Sequence, residues 1–396
     1  MKRNFSKTMI LIAVIFMDLL GGMEFDLFVP SFPELQSHFN LSPFWVEALL
    51  SANFLGYCLS LFFVGSLSDH YGRKPIILWG LTLFIIGSIL CVGSTLYPFL
   101  LVGRFLQGLG IAAPVILSFL IITDTYSLKQ QQFLLAMLNG VMNIAVAIAP
   151  VVGSYIALHF NWRVNFIALL ALGIITGITT LAFVPKTQQQ HLAETPNSGY
   201  MTIFRSRPLV LLIINLVFMF VPYWIFVGMS PLLYIKELKV SLSEFGYYQG
   251  ILALVFAIGT FLFGFIVKRV DQKKTLKVSV GIYTMSLVLI GLTIFFNSTN
   301  PLWITLAFLT FIIGQIIPTT VLYPLCLNFL PSVKGRVSAI VQGLRLVLTA
   351  IGLQIAGYLY QGTFQNIGIV IISFILIGVV TLVMVIKNNA LMRAFR

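Results

Sequence analysis

The chain has 396 residues, of which 59% are hydrophobic and 9% charged, with a formal net charge of +13 and a mean hydropathy of +1.01. A water-soluble domain carries about a quarter of its residues as charged groups, so a soluble globular fold is excluded and lipid is the solvent for most of the surface. A balance this basic suits nucleic acid or a membrane surface, and the placement of the charges, given below, selects the membrane.

Twelve apolar blocks follow one another, at about 8–30, 44–68, 75–94, 98–122, 131–158, 163–184, 208–235, 242–267, 275–296, 301–330, 335–360 and 363–386. At 1.5 Å per residue each is long enough to cross a hydrocarbon core of about 30 Å. A closed barrel needs alternating segments of about ten residues, so the blocks are predicted to be helices. Turn signals stand at the joints: Ser42-Pro43, Tyr97-Pro98, Asn300-Pro301 and Pro331. Lys2-Arg3 before the first block resembles the start of a signal peptide. The run is too long and no small-residue cleavage site follows, so span one is expected to be retained.

With the N-terminus in the cytoplasm, 19 of the 24 Lys and Arg residues fall on the inner side, from Lys2 and Arg3 through Lys186 and Lys268 to Arg393 and Arg396. Only Arg163, Lys236 and Lys239 fall outside, and Arg104 and Arg345 lie within spans. This is the positive-inside distribution. It predicts a multi-pass protein of a bacterial-type inner membrane with both termini cytoplasmic.

The longest polar gap, 185–207, divides the chain into an N-terminal six-helix half (1–186), a cytoplasmic linker (187–207) and a C-terminal six-helix half (208–396). The loop after span two, "SDHYGRKP", and the one after span eight, "KRVDQKK", are both short and basic. Six spans plus six is an internal-repeat layout that secondary transporters use, with the substrate site between the repeats. There is no G-x-x-x-x-G-K-[ST] phosphate loop, and the four histidines lie at span ends or in loops. No cofactor and no metal are therefore expected, only a proton gradient. Cys58, Cys91 and Cys326 sit inside spans and read as small packing residues.

Ionisable groups inside a membrane are rare and expensive, which draws attention to span one, "MDLLGGMEFDLFVPSFP", with Asp18, Glu24 and Asp26. Asp26 reads as a proton- or substrate-binding carboxylate, or else as the partner of Arg104. Asp18 lies eight residues earlier, about 80° away around a continuous helix, and addresses the same cavity. Glu24 projects differently, toward the cavity or the outer interface. Asp69 ends span two, where it meets the negative end of the helix dipole. A compensating positive group is expected, either the N-terminus of another span or Arg73. Gly65 would let a neighbouring helix approach, and Gly72 suits a tight turn.

Arg104 in span four and Arg345 near the middle of span eleven are the other intramembrane charges. Arg345 serves substrate or coupling, or braces span eleven against a buried acid. Asn215, Gln315 and Asn328 read as helix-to-helix bonds, with Asn215 and Gln315 also candidates for a cavity wall. Pro222 should bend the aromatic run of span seven and bring Tyr223 or Trp224 to that wall.

"GSLSDHYGRKP" resembles motif A of the major facilitator superfamily at Gly65, Leu67, Asp69, Gly72, Arg73 and Lys74. "LVGRFLQGLGIAAP" resembles its motif B at Arg104, Gln107, Gly108 and Gly110. "NGVMNIAVAIAPVVGS" resembles the antiporter motif C at Pro150 and Gly153, with Ala149 and Ser154 where Gly is usual. "DLFVPSFP" resembles the D-x-Y-x-P-x-x-P signature of Bcr/CflA-type drug:proton antiporters, with Phe28 for Tyr, and Thr123 stands where that branch often has Arg. The likeness covers most of the first half and the Gly335–Gly352 region. It implies an all-α membrane fold of twelve helices in two pseudo-symmetric halves. It also implies a cytoplasmic latch in which Asp69 docks on span eleven while Arg73 reaches Asp124. The implied activity is proton-coupled export of lipophilic or cationic compounds by a monomer, with small molecules, protons and the lipid bilayer as partners and no nucleic acid. The alternative is a dedicated carrier of a metabolite or carboxylate siderophore. A receptor or scaffold on the same fold would not need these buried charges, and no catalytic set can be assembled at one depth for an enzyme.

Overall fold

A computed structural model describes residues 7–185, 201–267, 269–330 and 334–392. Lys2, Arg3, Lys186, Lys268, Pro331, Arg393, Arg396 and residues 187–200 of the linker lie outside them. All regular structure among the described residues is helical.

Among the described residues, eleven helical stretches are long and apolar enough to cross a membrane. They are α3 (Pro43–Tyr71), α4 (Arg73–Gly93), α5 (Tyr97–Thr125), α6 (Leu128–His159), α7 (Trp162–Phe183), the pair α9 (Arg207–Phe218) and α10 (Val221–Pro231), α11 (Leu242–Ile266), α12 (Gln272–Phe295), α13 (Pro301–Asn328), α14 (Lys334–Leu359) and α15 (Phe364–Lys387). The twelfth span is α1 (Lys7–Met23), whose 17 residues are at the short limit for crossing hydrocarbon. Short helices α2 (Phe32–His38), α8 (Met201–Arg205) and α16 (Asn389–Met392) lie outside the spans. The joints work as helix starts. Pro43, Pro98 and Pro301 each occupy the first turn, where a missing N–H costs nothing. Asn300 Oδ1 accepts from the Leu302 N–H at 2.9 Å, and Asn161 and Asp271 cap α7 and α12 likewise.

Two spans are broken. Span one stops as α-helix at Met23, turns through Glu24–Phe28, and resumes as a 3₁₀ turn at Val29–Ser31 before α2. The continuous helix expected over 8–30 is therefore corrected, and with it the angle reckoned between Asp18 and Asp26. Pro30 and Pro33 withhold the two N–H groups that a helix through this stretch would need. Span seven breaks at Met219–Phe220, ahead of Pro222, and ends in a wider π-helical stretch at Leu232–Glu237.

The helices form two compact units, Met1–Glu194 with Leu242–Gly250, and Thr195–Ser241 with Ile251–Arg396. In the first, α5 packs along α3 and α4, α4 along α7, and α1 along α6. Several of these contacts set glycine against backbone: a Cβ on Gly56 would stand 2.3 Å from the Phe105 carbonyl, and one on Gly80 2.6 Å from that of Gly110, whereas Gly21 and Gly173 face the Val115 and Phe84 side chains. Gly246 and Gly250 meet the backbone of α6 in the same way. In the second unit the tightly packed glycines meet side chains instead, Gly259 facing Ile316, Gly352 facing Ile225 and Gly378 facing Met219. On the outside stand large apolar groups such as Trp79, Phe261 and Phe295, the surface that hydrocarbon rather than water would meet.

Candidate functional site

The break in span one places its acids. Gly153 of α6 carries no side chain where the Leu27 carbonyl arrives; a Cβ there would be 1.9 Å from that oxygen. The bend therefore seats directly on α6. Asn165 Nδ2 then donates to Ser31 Oγ at 2.8 Å, fixing the 3₁₀ turn. On the other side, a Cβ at Gly108 would lie 2.0 Å from the Asn53 carbonyl. That close approach of α3 to α5 sets the Asn53 amide between a carboxylate and a backbone carbonyl: Nδ2 donates to Glu24 Oε1 and to the Arg104 main-chain oxygen at 3.1 Å.

Arg104 is fully buried and its positive charge is met by Glu24, also fully buried, at 3.0 Å. The same guanidinium nitrogen donates to Gln107 Oε1 at 2.6 Å, and Gln107 Nε2 donates to Ser88 Oγ at 2.8 Å. The Phe28 ring lies 4.0 Å below the guanidinium carbon, a cation–π contact strengthened by the absence of water. Glu24, Asn53, Arg104, Gln107 and Ser88 thus form one polar string across α3, α4, α5 and the break. Its acid is Glu24. The outer-interface reading of Glu24 is corrected, because the helix ends one residue before it and the turn carries it inward.

Asp26 is buried and neither of its carboxylate oxygens has a hydrogen-bond partner among the described residues. It is not the partner of Arg104. Asp18 Oδ1 accepts from Ser118 Oγ at 2.8 Å while Oδ2 is unpartnered. A fourth buried acid, Glu47 of α3, has both oxygens without a partner. Sequence reasoning missed it, although a lone Glu in the apolar run "PFWVEALLSANF" is the same signal that singled out span one. Asn53, Ser88 and Ser118 were also missed. Uncharged polar residues are common in spans, so nothing local marked them.

At the other end of α3, Arg73 draws two acids together. It donates to Asp69 Oδ1, to Ser68 Oγ at 2.6 Å and to Asp124 Oδ2 at 3.3 Å. Gly72, at φ 91°, makes the reversal between α3 and α4 in a conformation that side chains resist. Lys74 Nζ reaches the Leu181 and Val184 carbonyls at 2.8 Å each, a cation on the negative end of α7. Gly65 differs from expectation: within its own unit a Cβ there would meet nothing within 4 Å among the described residues.

In the second unit, Asn215 Nδ2 donates to the Gly378 carbonyl at 2.9 Å and to Thr381 Oγ1 at 3.1 Å, joining α9 to α15. Gln315 Nε2 donates at 2.8 Å to the Met219 carbonyl, which the break in span seven leaves free. Both act as helix-to-helix bonds, whereas Asn328 bonds its own helix and Lys334. Trp224 is buried with its ring 5.5 Å from that of half-buried Tyr223, and Phe226 stacks on Phe308 at 4.2 Å. Arg345 is half-buried. Its Nη1 donates to Gln342 Oε1 at 3.2 Å, and it lies over Phe220 and Tyr323. The expected bracing acid is absent: among the described residues no carboxylate lies within 4.0 Å of it. No cluster able to hold a metal occurs among them either.

The fold is shared with solved transporters. A D-xylose-proton symporter aligns over 96% of this chain and 97% of its own with a TM-score of 0.75 at 14% identity. A bacterial homologue of the lysosomal transporter Spinster aligns over 99% of each chain at 0.74 and 16% identity. By sequence, the chain is 28% identical to the multidrug resistance protein MdtL of Salmonella dublin over 303 residues, 74% of each protein. It is 27% identical to the protein of that name from Shewanella oneidensis over 274 residues, 68% of each. The description of the Major Facilitator Superfamily matches residues 14–353. The chain belongs to the Major Facilitator Superfamily, as a multi-pass membrane carrier rather than an enzyme.

Proposed function

We propose that this carrier exports lipophilic, often cationic compounds in exchange for protons, as a drug:proton antiporter of the Bcr/CflA type. In this reading it works as a monomer in the inner membrane with both termini cytoplasmic, and alternating access comes from rocking of its two halves, 1–186 and 208–396. The names of the MdtL relatives support drug export. The observation that carries the proton coupling is the division of labour among the acids of span one. Glu24 neutralises Arg104, which leaves Asp26 with no counter-ion and no hydrogen-bond donor among the described residues. An isolated buried carboxylate is stabilised by a proton or by a cation, and not by both at once. Asp18, half satisfied by Ser118, is a second station of the same kind. The Asp69–Arg73–Asp124 group at the inner end of α3 and α5 acts as the cytoplasmic latch.

The test uses detergent-solubilised protein in weakly buffered solution with tetraphenylphosphonium as the probe. Adding the cation should release protons, and lowering the pH should weaken its binding, because the carboxyl must ionise to accept it. Asp26→Asn should abolish the release. Wild-type protein that binds the cation without releasing protons would overturn the reading, as would unchanged release in the Asp26→Asn variant.

A further inference from the structure

The two intramembrane arginines differ in one respect that matters chemically. Arg104 has a counter-ion, a neutral acceptor and an aromatic face, all buried with it. Arg345 has a neutral acceptor, Gln342, and two aromatic faces, Phe220 at 4.9 Å and Tyr323 at 5.3 Å, but no carboxylate within 4.0 Å among the described residues. Its Nε is buried and has no acceptor. Phe220, Tyr323, Gln342 and Arg345 are all half-buried, so the group remains reachable. A guanidinium held within a span without an anion is a costly arrangement. Aromatic faces and one amide oxygen offset only part of that cost.

We propose that Arg345 is a substrate-binding residue that takes the anionic group of the transported compound, a carboxylate or sulfonate attached to a flat apolar body. The planar guanidinium can hold such a group by two parallel hydrogen bonds, and it stays charged when desolvated. Phe220 and Tyr323, which flank the guanidinium, give an attached aromatic body a surface to stack on. The break of span seven puts Phe220 there: α9 ends at Phe218, and the turn at Met219–Phe220 presents the ring. The substrates then include amphiphilic acids and zwitterions as well as cations. This proposal rests on the reading of the chain as an exporter, and names a substrate class for it.

The test is binding of 1-naphthoate to purified protein in nanodiscs, followed by tryptophan fluorescence. Trp224, whose ring lies 6.2 Å from that of Phe220, provides a local reporter. The wild-type protein should bind 1-naphthoate at least tenfold more tightly than the uncharged 1-naphthamide. Arg345→Gln should weaken naphthoate binding about tenfold to hundredfold, the range for hydrogen bonds to a charged group, and leave the amide unaffected. Arg345→Lys should restore part of the loss, since a point charge lacks the fork. Equal affinity of wild-type protein for naphthoate and naphthamide would overturn the proposal even if the Arg345 variants fail to fold. Unchanged naphthoate affinity in folded Arg345→Gln would also overturn it. The two readings fail separately: wild-type protein that binds tetraphenylphosphonium without releasing protons overturns the exporter reading alone, whereas equal affinity for naphthoate and naphthamide overturns this one alone.

Discussion

Removing Arg104 is the sharpest test of the polar string around the break in span one. Arg104→Met keeps most of the side-chain volume but strands Glu24, whose carboxylate then retains only the Asn53 donor, and leaves Gln107 Oε1 without the guanidinium. Glu24→Gln strands the arginine instead. Breaking a fully buried ion pair from one side costs about 3–5 kcal/mol, because an uncompensated charge remains behind. Each single variant should lose about that much. The double variant Glu24→Gln/Arg104→Met leaves no charge stranded and should lose far less than the sum of about 6–10 kcal/mol, giving a coupling energy of about 2 kcal/mol or more. Unfolding by SDS titration from lipid bicelles, followed by tryptophan fluorescence, measures the four corners of the cycle. Cys91 offers a second reading: it is a buried free thiol 3.8 Å from Gln107 Oε1 and should react faster with a membrane-permeant maleimide in the single variants. Additive losses, with Cys91 equally protected in all four proteins, would refute the pairing.

Asp69→Asn should leave abundance and thermal stability near wild type, since the pair is partly exposed and such pairs contribute about 0–1 kcal/mol. It should nevertheless abolish most transport in proteoliposomes; wild-type rates would remove Asp69 from the mechanism. Gly153→Ala places a methyl group where the Leu27 carbonyl stands and should lower the thermal midpoint by an amount corresponding to at least about 1–3 kcal/mol. Gly65→Ala, which meets no atom within 4 Å, should leave the midpoint where it is. Matching midpoints for the two variants would show that the close seat of span one on α6 is not as described.

Hydropathy was enough to read the number of spans, because lipid demands long uninterrupted apolar runs with every backbone group bonded internally. The resemblance to motif A brought Asp69, Arg73 and Asp124 onto the same short list, and the fold sets Arg73 within hydrogen-bonding distance of both acids. What escaped was the breaks. A largely apolar block such as 8–30 looks the same whether it is helical throughout or turns at Glu24, and the partner of Arg104 depends on that turn. With a straight span one, Glu24 pointed away and Asp26 was the natural acid. With the bend, Gly153 and Gly108 decide which carboxylate arrives, and those contacts are made between residues more than fifty positions apart in the chain. Arg345 was legible as a buried charge. Its lack of an acid was not, because absence of a partner is a property of the packed structure.

The contrast in how the two units are held together bears on how such a carrier adapts. In the first unit Gly56, Gly80, Gly108 and Gly153 meet backbone, and any side chain larger than hydrogen at those positions would collide with a main chain that cannot retract without moving a whole helix. In the second, the neighbours of the close-packed glycines are Ile, Met and Tyr side chains, which can rotate into new positions. Mutation therefore has little freedom in the half that carries the acids and considerable freedom in the half that carries Arg345 and the aromatic groups. A lineage under pressure from new compounds could reshape what it recognises while inheriting its energy coupling nearly unaltered.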